Sequence, residues 1–191
     1  MNLETPRLII RPFVRGDSLA FIHRILDQEF GDAGSDRAVA RDPRSWLEWQ
    51  ILSKEWFEKM RQPPYGDRAI ILKGSNQLVG AVGYVPCLAP FEQIPELRSA
   101  SEPSGHYSTE FGLFYSIDPE YRRHGYATEA AKAMLDYALN QLSVKRVIAK
   151  TDYTNIASQN VMRKLGMKIT RNPLQEPHWL QVVGVYENRR E

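Results

Sequence analysis

Apolar positions change period several times along the chain, and each change predicts an element. "RLIIRPF" (Arg7 to Phe13) is a short branched run bounded by prolines, which reads as a first strand. Asp17 is expected as the N-cap of an amphipathic helix over 18–26, because Leu19, Ile22, Ile25 and Leu26 recur at helical spacing. The glycine- and aspartate-rich "GDAGSDRAVARDP" separates it from a longer helix with Asp42 as cap and Pro43 at the first helical position. That helix carries Trp46, Trp49, Leu52, Trp56 and Met60 on one stripe, which is expected to pack against a sheet; lining a substrate cleft is the alternative.

"RAIILK" and "QLVGAVGYV", joined near Gly74 to Asn76, predict a hairpin whose nearly continuous apolar strands are covered on both faces. From Pro86 to Ser108 prolines and glutamates replace periodicity, so an irregular excursion is expected there, either a substrate-facing flap or a surface insertion. Beyond it the pattern runs strand "TEFGLFYSI", helix "YATEAAKAMLDYALNQL", strand "RVIAKT", helix "IASQNVMRKL", strand "MKIT" and strand "LQVVGVYE". Strand, helix, strand argues for a right-handed crossover unit, and the closing strands make the sheet mixed. The chain therefore reads as an α/β protein, a single domain over residues 1–191 with an insertion at about 86–108.

Composition narrows the partners. Lys and Arg number 25 against 23 Asp and Glu, a balance too even for a nucleic-acid or membrane-surface footprint. Cys87 is the only cysteine, so no intrachain disulfide can form and a reducing compartment is expected. "MNLETPRLIIRPF" lacks the uninterrupted apolar segment of a secretory signal, and the stretch from Leu78 to Phe91 is broken by glycine and proline well short of the roughly 20 residues of a spanning helix. The expectation is a soluble, cytoplasmic protein, for which a monomer and a homodimer fit equally.

"DPEYRRHGYATEAAKAM" holds the most chemistry. Ala127, Ala130, Ala131, Met134, Ala138 and Leu142 keep helical spacing behind Pro119 and Gly125, so a helix begins near Tyr126. The first N–H groups of a helix have no intrahelical acceptor, and a glycine lets an anion approach them; Arg122, Arg123 and His124 would add charge. A pyrophosphate fits that description. The competing reading is that Gly125 relieves a tight turn and the arginines are solvated. The lysine-bearing phosphate loop and the three-glycine dinucleotide pattern are both absent, which removes the usual anchors for ATP and NAD. Further on, Asn155 is expected as an N-cap with Ser158 in the first turn and Gly166 closing that helix. His23, His106 and His178 show no metal-ligand spacing with one another or with Cys87, so no metal site is expected.

Together, the two segments resemble the GNAT superfamily of acyl-CoA-dependent N-acyltransferases. In that family an Arg/Gln-x-x-Gly-x-Gly/Ala turn binds the coenzyme A pyrophosphate, and here it stands as Arg122, Gly125 and Ala127; the later Asn-x-x-Ser helix ending in Lys-Leu-Gly stands as Asn155, Ser158, Lys164, Leu165 and Gly166. The opening "LETPRLIIRPFVRGD" is similar to the branch containing the ribosomal-protein N-terminal acetyltransferases. The resemblance covers about Glu110 to Met167 plus that opening. It implies a central, mixed, mostly antiparallel twisted sheet flanked by about four helices, with acetyl-CoA as co-substrate and an amine acceptor, a protein N-terminus or a small molecule.

Acetyl transfer to an amine requires a neutral amine, a stabilised oxyanion and a proton for the departing thiolate. By resemblance, Glu110 is the general base, directly or through water, with an edge charge facing solvent as the alternative. Tyr115, Ser116 and Ile117 pair with the pantetheine arm, with Ile117 as amide donor to the thioester carbonyl. Arg122, Arg123, His124, Gly125, Tyr126, Ala127 and Thr128 form the phosphate turn. Asn155 is expected to hold the pantetheine or cofactor tail, and either Ser158 or solvent to protonate the thiolate. Many GNAT enzymes use a tyrosine later in that helix, where this chain has Met162; Tyr153 is a weaker substitute for it. His178 and Trp179 face either an acceptor groove or ordinary loop solvent. The alternative function is a non-catalytic acyl-CoA-binding protein that retains the fold.

Overall fold

A computed structural model of the chain describes residues 1–30, 42–98 and 105–188. Its strands are β1 (Leu3–Glu4), β2 (Leu8–Pro12), β3 (Gly66–Leu72), β4 (Leu78–Ala89), β5 (Ser108–Ile117), β6 (Arg146–Thr151), β7 (Lys168–Arg171) and β8 (Val182–Glu187). The helices are α1 (Leu19–Phe30), α2 (Pro43–Lys59), α3 (Tyr126–Asn140) and α4 (Ile156–Lys164). The strands follow the order β1-β2-β3-β4-β5-β6-β8-β7. β5 and β6 pair in parallel through Gly112 and Ile148, and β1–β2, β2–β3, β3–β4, β6–β8 and β7–β8 pair antiparallel. This is the mixed, mostly antiparallel α/β architecture that the resemblance implies. The "GDAGSDRAVA" segment, residues 31–40, lies outside the described residues, as do 99–104 of the expected excursion.

Two compact units divide the chain. The first takes in Met1–Tyr84 and Phe114–Ala133. Its core gathers Phe13, Phe21, Ile22, Ile25, Leu26, Leu47, Ala69, Ile71 and Ala81. Residues 68–71 and 79–84 are buried without interruption, as expected of strands covered on both faces. Two expectations are corrected here. Asp17 does not cap α1: its carboxylate takes both Nη1 and Nη2 of Arg11, at 2.9 and 2.6 Å, and the Val14 N–H, while the Ser18 hydroxyl accepts from the Phe21 N–H. A bidentate guanidinium outcompetes one amide for the same oxygens.

Beyond Trp46, the tryptophan stripe of α2 does not pack inward either. Trp49, Leu52, Trp56 and Met60 are each more than half exposed, whereas Leu47, Gln50 and Ser53 are buried and Trp46 packs edge-on against Phe13. Polar chemistry sets this rotation: Gln50 Oε1 accepts from the Asp67 N–H at 2.8 Å, at the start of β3. A buried amide left without an acceptor costs about 1–3 kcal/mol, enough to hold Gln50 inward. Asp42 caps the helix as expected, accepting from the Ser45 N–H at 2.9 Å.

The second unit takes in Val85–Leu113 and Met134–Glu191. Here the excursion expected from Pro86 is corrected, because β4 runs on to Ala89 and single 3-10 turns follow at Phe91–Gln93 and Pro95–Leu97. Cys87 and Ala89 are buried while Pro86 and Leu88 are exposed, a strand alternation that the prolines masked. Phe91 and Ile94 are wholly buried with Ile148, Leu180 and Val183. Gly112 is required by close packing: a Cβ there would stand 2.5 Å from Cys87 Sγ. Burial pushes the Cys87 thiol up, in keeping with a packing role.

Candidate active site

The joint between β5 and α3 lies in the first unit. β5 ends at Ile117, the Asp118 carboxylate accepts from the Glu120 N–H as cap of a 3-10 turn (Pro119–Tyr121), and α3 opens at Tyr126. Between them, Arg123 (φ 65°) and Gly125 (φ 82°) both adopt left-handed backbone. Alternating conformations of this kind turn successive N–H groups toward one side and make an anion-binding concavity. Arg123 was not legible as a left-handed residue, because only glycine, asparagine and aspartate announce that conformation.

Side chains hold this turn from three directions. Arg122 Nε donates to the Ile117 carbonyl at 3.1 Å, and His124 Nδ1 lies 2.8 Å from the Arg122 carbonyl. His124 thus serves the turn's shape, and its ring stacks on Tyr126. Asp118, fully buried, receives Nε and Nη2 of Arg24 from α1, each at 2.7 Å. Arg7, from the segment before β2, donates Nη1 to the His124 carbonyl at 2.9 Å and pairs through Nε and Nη2 with Glu129 at 2.6 Å. Thr5 Oγ1 also donates to Glu129 at 2.6 Å. Burial alone would raise the Glu129 carboxyl, yet the bonds from Thr5 and Arg7 hold it below its ordinary value. Thr5, Arg7, Arg24 and Glu129 were not legible in the sequence as parts of the turn, because their pairings span 94 to 124 residues. The one local signal was an acidic residue in the first turn of α3, a common helix-start preference.

Where a side chain would cap an ordinary helix, α3 has Gly125. Its carbonyl begins the helical ladder by accepting from the Glu129 N–H at 3.0 Å. Tyr126, Ala127 and Thr128 supply the first-turn amides. Among the described residues no side chain accepts from them. The donor set fits a diphosphate: amides at a helix start, two left-handed residues and flanking guanidinium groups.

The other expected residues lie in the second unit. Glu110 is one-tenth exposed and forms a two-point pair with Arg146, Nε to Oε2 at 2.9 Å and Nη2 to Oε1; Arg146 Nη1 also reaches Glu187 at 3.2 Å. The Glu110 hydrogen bond leads the causes that raise the Arg146 guanidinium above its ordinary value. The pair occupies two of the four acceptor positions of the carboxylate. Asn155 caps α4, its side chain accepting from the Ser158 N–H at 3.0 Å. Met162 is fully buried against Gly184, and the Tyr153 hydroxyl donates to the Asn172 carbonyl at 3.0 Å. Lys150 lies over the Trp179 ring at 4.7 Å, and the His178 carbonyl accepts from Gln181.

A cleft of about 810 Å³ in this unit is lined by Glu96, Asp136, Lys168 and Glu187 among others, and by none of the expected site residues. Among the described residues no three His, Cys, Asp or Glu side chains gather as metal ligands would, and no helix is long and apolar enough to cross a membrane.

Residues 7–168 match the family model described as Acetyltransferase (GNAT) domain. The uncharacterized N-acetyltransferase YnaD of Bacillus subtilis (strain 168) is 39% identical over 172 residues, covering 88% of this chain and 83% of that protein. A second, the uncharacterized N-acetyltransferase YjdG of the same organism, is 27% identical over 117 residues, and the match spans only 61% of this chain and 60% of that protein. Among solved structures, the ribosomal-protein-S5-alanine acetyltransferase from Vibrio fischeri superposes with a TM-score of 0.66 at 16% identity, covering 99% of this chain and 97% of that one.

Proposed function

The chain belongs to the GNAT acetyltransferases, and we propose that it transfers an acetyl group from acetyl-CoA to a primary amine, either a protein N-terminus or a small-molecule amine. The observation that carries this reading is the turn from Arg122 to Thr128, where left-handed backbone at Arg123 and Gly125 precedes a helix whose first-turn amides meet no side-chain acceptor among the described residues. Its amides suit a diphosphate, and Arg122 and Arg123 add positive charge. The thioester supplies the acetyl group when acetyl-CoA is bound. Tyr115, Ser116 and Ile117 offer the β5 backbone to the pantetheine arm, with the Ile117 amide as donor to the thioester carbonyl.

Two side chains are assigned the proton-handling roles on the family resemblance. Ser158, in the first turn of α4, protonates the departing thiolate, and Asn155, holding that turn, steadies the cofactor tail. Glu110 accepts the amine proton through water, using the acceptor positions that Arg146 leaves. The likeness to an enzyme described as acting on a ribosomal-protein alanine supports a protein N-terminus as one acceptor class. A cytoplasmic setting suits acetyl-CoA chemistry.

Release of CoA thiol is the test, measured with acetyl-CoA against peptide N-termini, amino acids, polyamines and aminoglycosides. Acceptor-dependent thiol with at least one class is the expected result. Calorimetric binding of CoA without thiol release for any acceptor points instead to an acyl-CoA-binding protein, and failure to bind CoA removes the reading altogether.

A further inference from the structure

Arg7 stands 118 residues before Gly125 in the sequence, yet both of its backbone groups are fixed. Its N–H donates to Glu129 Oε1 at 3.0 Å, and its carbonyl accepts from the Lys73 N–H at 3.0 Å. Thr5 secures the approach, accepting from the Leu8 N–H at 2.9 Å through Oγ1. The side chain then makes three separate engagements: Glu129 through Nε and Nη2, the His124 carbonyl through Nη1, and the Tyr126 ring, 4.7 Å away.

In a trans peptide the C=O and N–H point in opposite directions. A guanidinium that captures the His124 carbonyl therefore aims the Gly125 N–H the other way. His124 Nδ1 does the same two peptides earlier, taking the Arg122 carbonyl and so directing the Arg123 N–H. Two carbonyls that would repel an anion are thereby turned aside. Arg7 also neutralises Glu129, whose carboxylate would otherwise put a negative charge in the first turn of the helix that receives a diphosphate.

We propose that Arg7 is a positioning residue of the anion-binding turn, fixing the His124–Gly125 peptide with its N–H presented for the coenzyme A diphosphate while cancelling the charge of Glu129. This rests on the diphosphate reading of the turn. Glu129 and Thr5 act through Arg7 by holding its fork in register. Lysine cannot take its place, because one ammonium does not span a carboxylate and a backbone carbonyl in fixed planar geometry.

The test is calorimetric titration of CoA into the wild-type protein, Arg7→Ala, Arg7→Lys, Glu129→Gln and the Arg7→Ala/Glu129→Gln double variant, with circular dichroism to verify folding. Arg7→Ala is expected to weaken CoA about tenfold, the scale of one charge-assisted hydrogen bond. Arg7→Lys should recover little of that loss, and Glu129→Gln should lose about threefold through a loosened fork. The double variant should be no weaker than Arg7→Ala alone. In turnover the loss should fall on KM for acetyl-CoA rather than on kcat. Wild-type affinity in folded Arg7→Ala or Arg7→Lys, or additive losses in the double variant, overturns the inference and leaves the acetyltransferase reading standing. Absence of CoA binding by the wild-type protein removes that reading and this inference together.

Discussion

At the start of α4 the Asn155 side chain accepts from the Ser158 N–H, as Asp42 does from the Ser45 N–H at the start of α2. At the start of α3 a glycine stands in that place, and the support comes from elsewhere: Arg24 on Asp118 before the turn, Arg7 on Glu129 and the His124 carbonyl after it. A side-chain cap uses the same amides that an anion would use. The helix that caps itself has satisfied its own amide, whereas the one braced by remote arginines keeps its first N–H groups available. Uncapped ends are costly, so a start braced from a distance is better evidence of a ligand site than a glycine alone.

The strongest way to break this comparison is to close the open start. Gly125→Glu adds a side chain at φ 82° and a negative charge in the turn proposed to hold the diphosphate. Acetyl-CoA affinity should fall about a hundredfold or more, since backbone strain of about 1–2 kcal/mol combines with electrostatic repulsion. Unchanged calorimetric affinity in the folded variant would detach the turn from the cofactor.

Removing a brace tests stability next. Arg24→Ala leaves the fully buried Asp118 carboxylate without its guanidinium partner. Chemical denaturation should show a loss of about 2 kcal/mol, at the low end for such a pair because Arg24 is itself half exposed. A loss below about 0.5 kcal/mol would mean that solvent replaces the pair.

At the self-capped start, Asn155→Ala should lower stability by about 1 kcal/mol, a melting shift of about 2–4 °C, and Asn155→Asp should restore most of it. Equal melting temperatures for all three proteins would remove the contrast between the two helices.

The smallest effect concerns acid. Because the folded-state carboxyl of Glu129 is held below its ordinary value, its stabilising share is complete above the ordinary glutamate range and is lost as pH falls below that range through the folded value. Glu129→Gln should therefore flatten the acid limb of the stability profile by about 0.5 kcal/mol. A limb of unaltered slope would show that Thr5 and Arg7 do not favour the ionised form.

How much of this was legible follows from the range of each interaction. Periodicity located the elements because apolar spacing is local, and Gly125 ahead of an alanine-rich run marked the turn. Asn155 and Asp42 were readable as caps because cap and amide lie three residues apart. Arg7–Glu129, Arg24–Asp118 and Glu110–Arg146 were not, since pairing partners distant in sequence leave no spacing to read. The face of α2 was misread for a related reason. Hydrophobicity ranked its tryptophans above Gln50, but one amide of β3 in need of an acceptor decided the rotation. The strand residues Pro86 to Ala89 alternate between exposed and buried, yet Pro86 and the following Pro90 masked the pattern.

Met162 limits how this enzyme could be re-engineered. Its side chain is sealed against the β8 backbone, with Sδ only 3.0 Å from where a Cβ on Gly184 would lie and Met167 crowding the same glycine. Grafting a phenol onto that position would wedge a rigid ring beneath the strand and deliver its hydroxyl into oil rather than to a leaving sulfur. A designer seeking to add a proton donor would do better to work from the first turn of the helix, where Ser158, the proposed donor, stands.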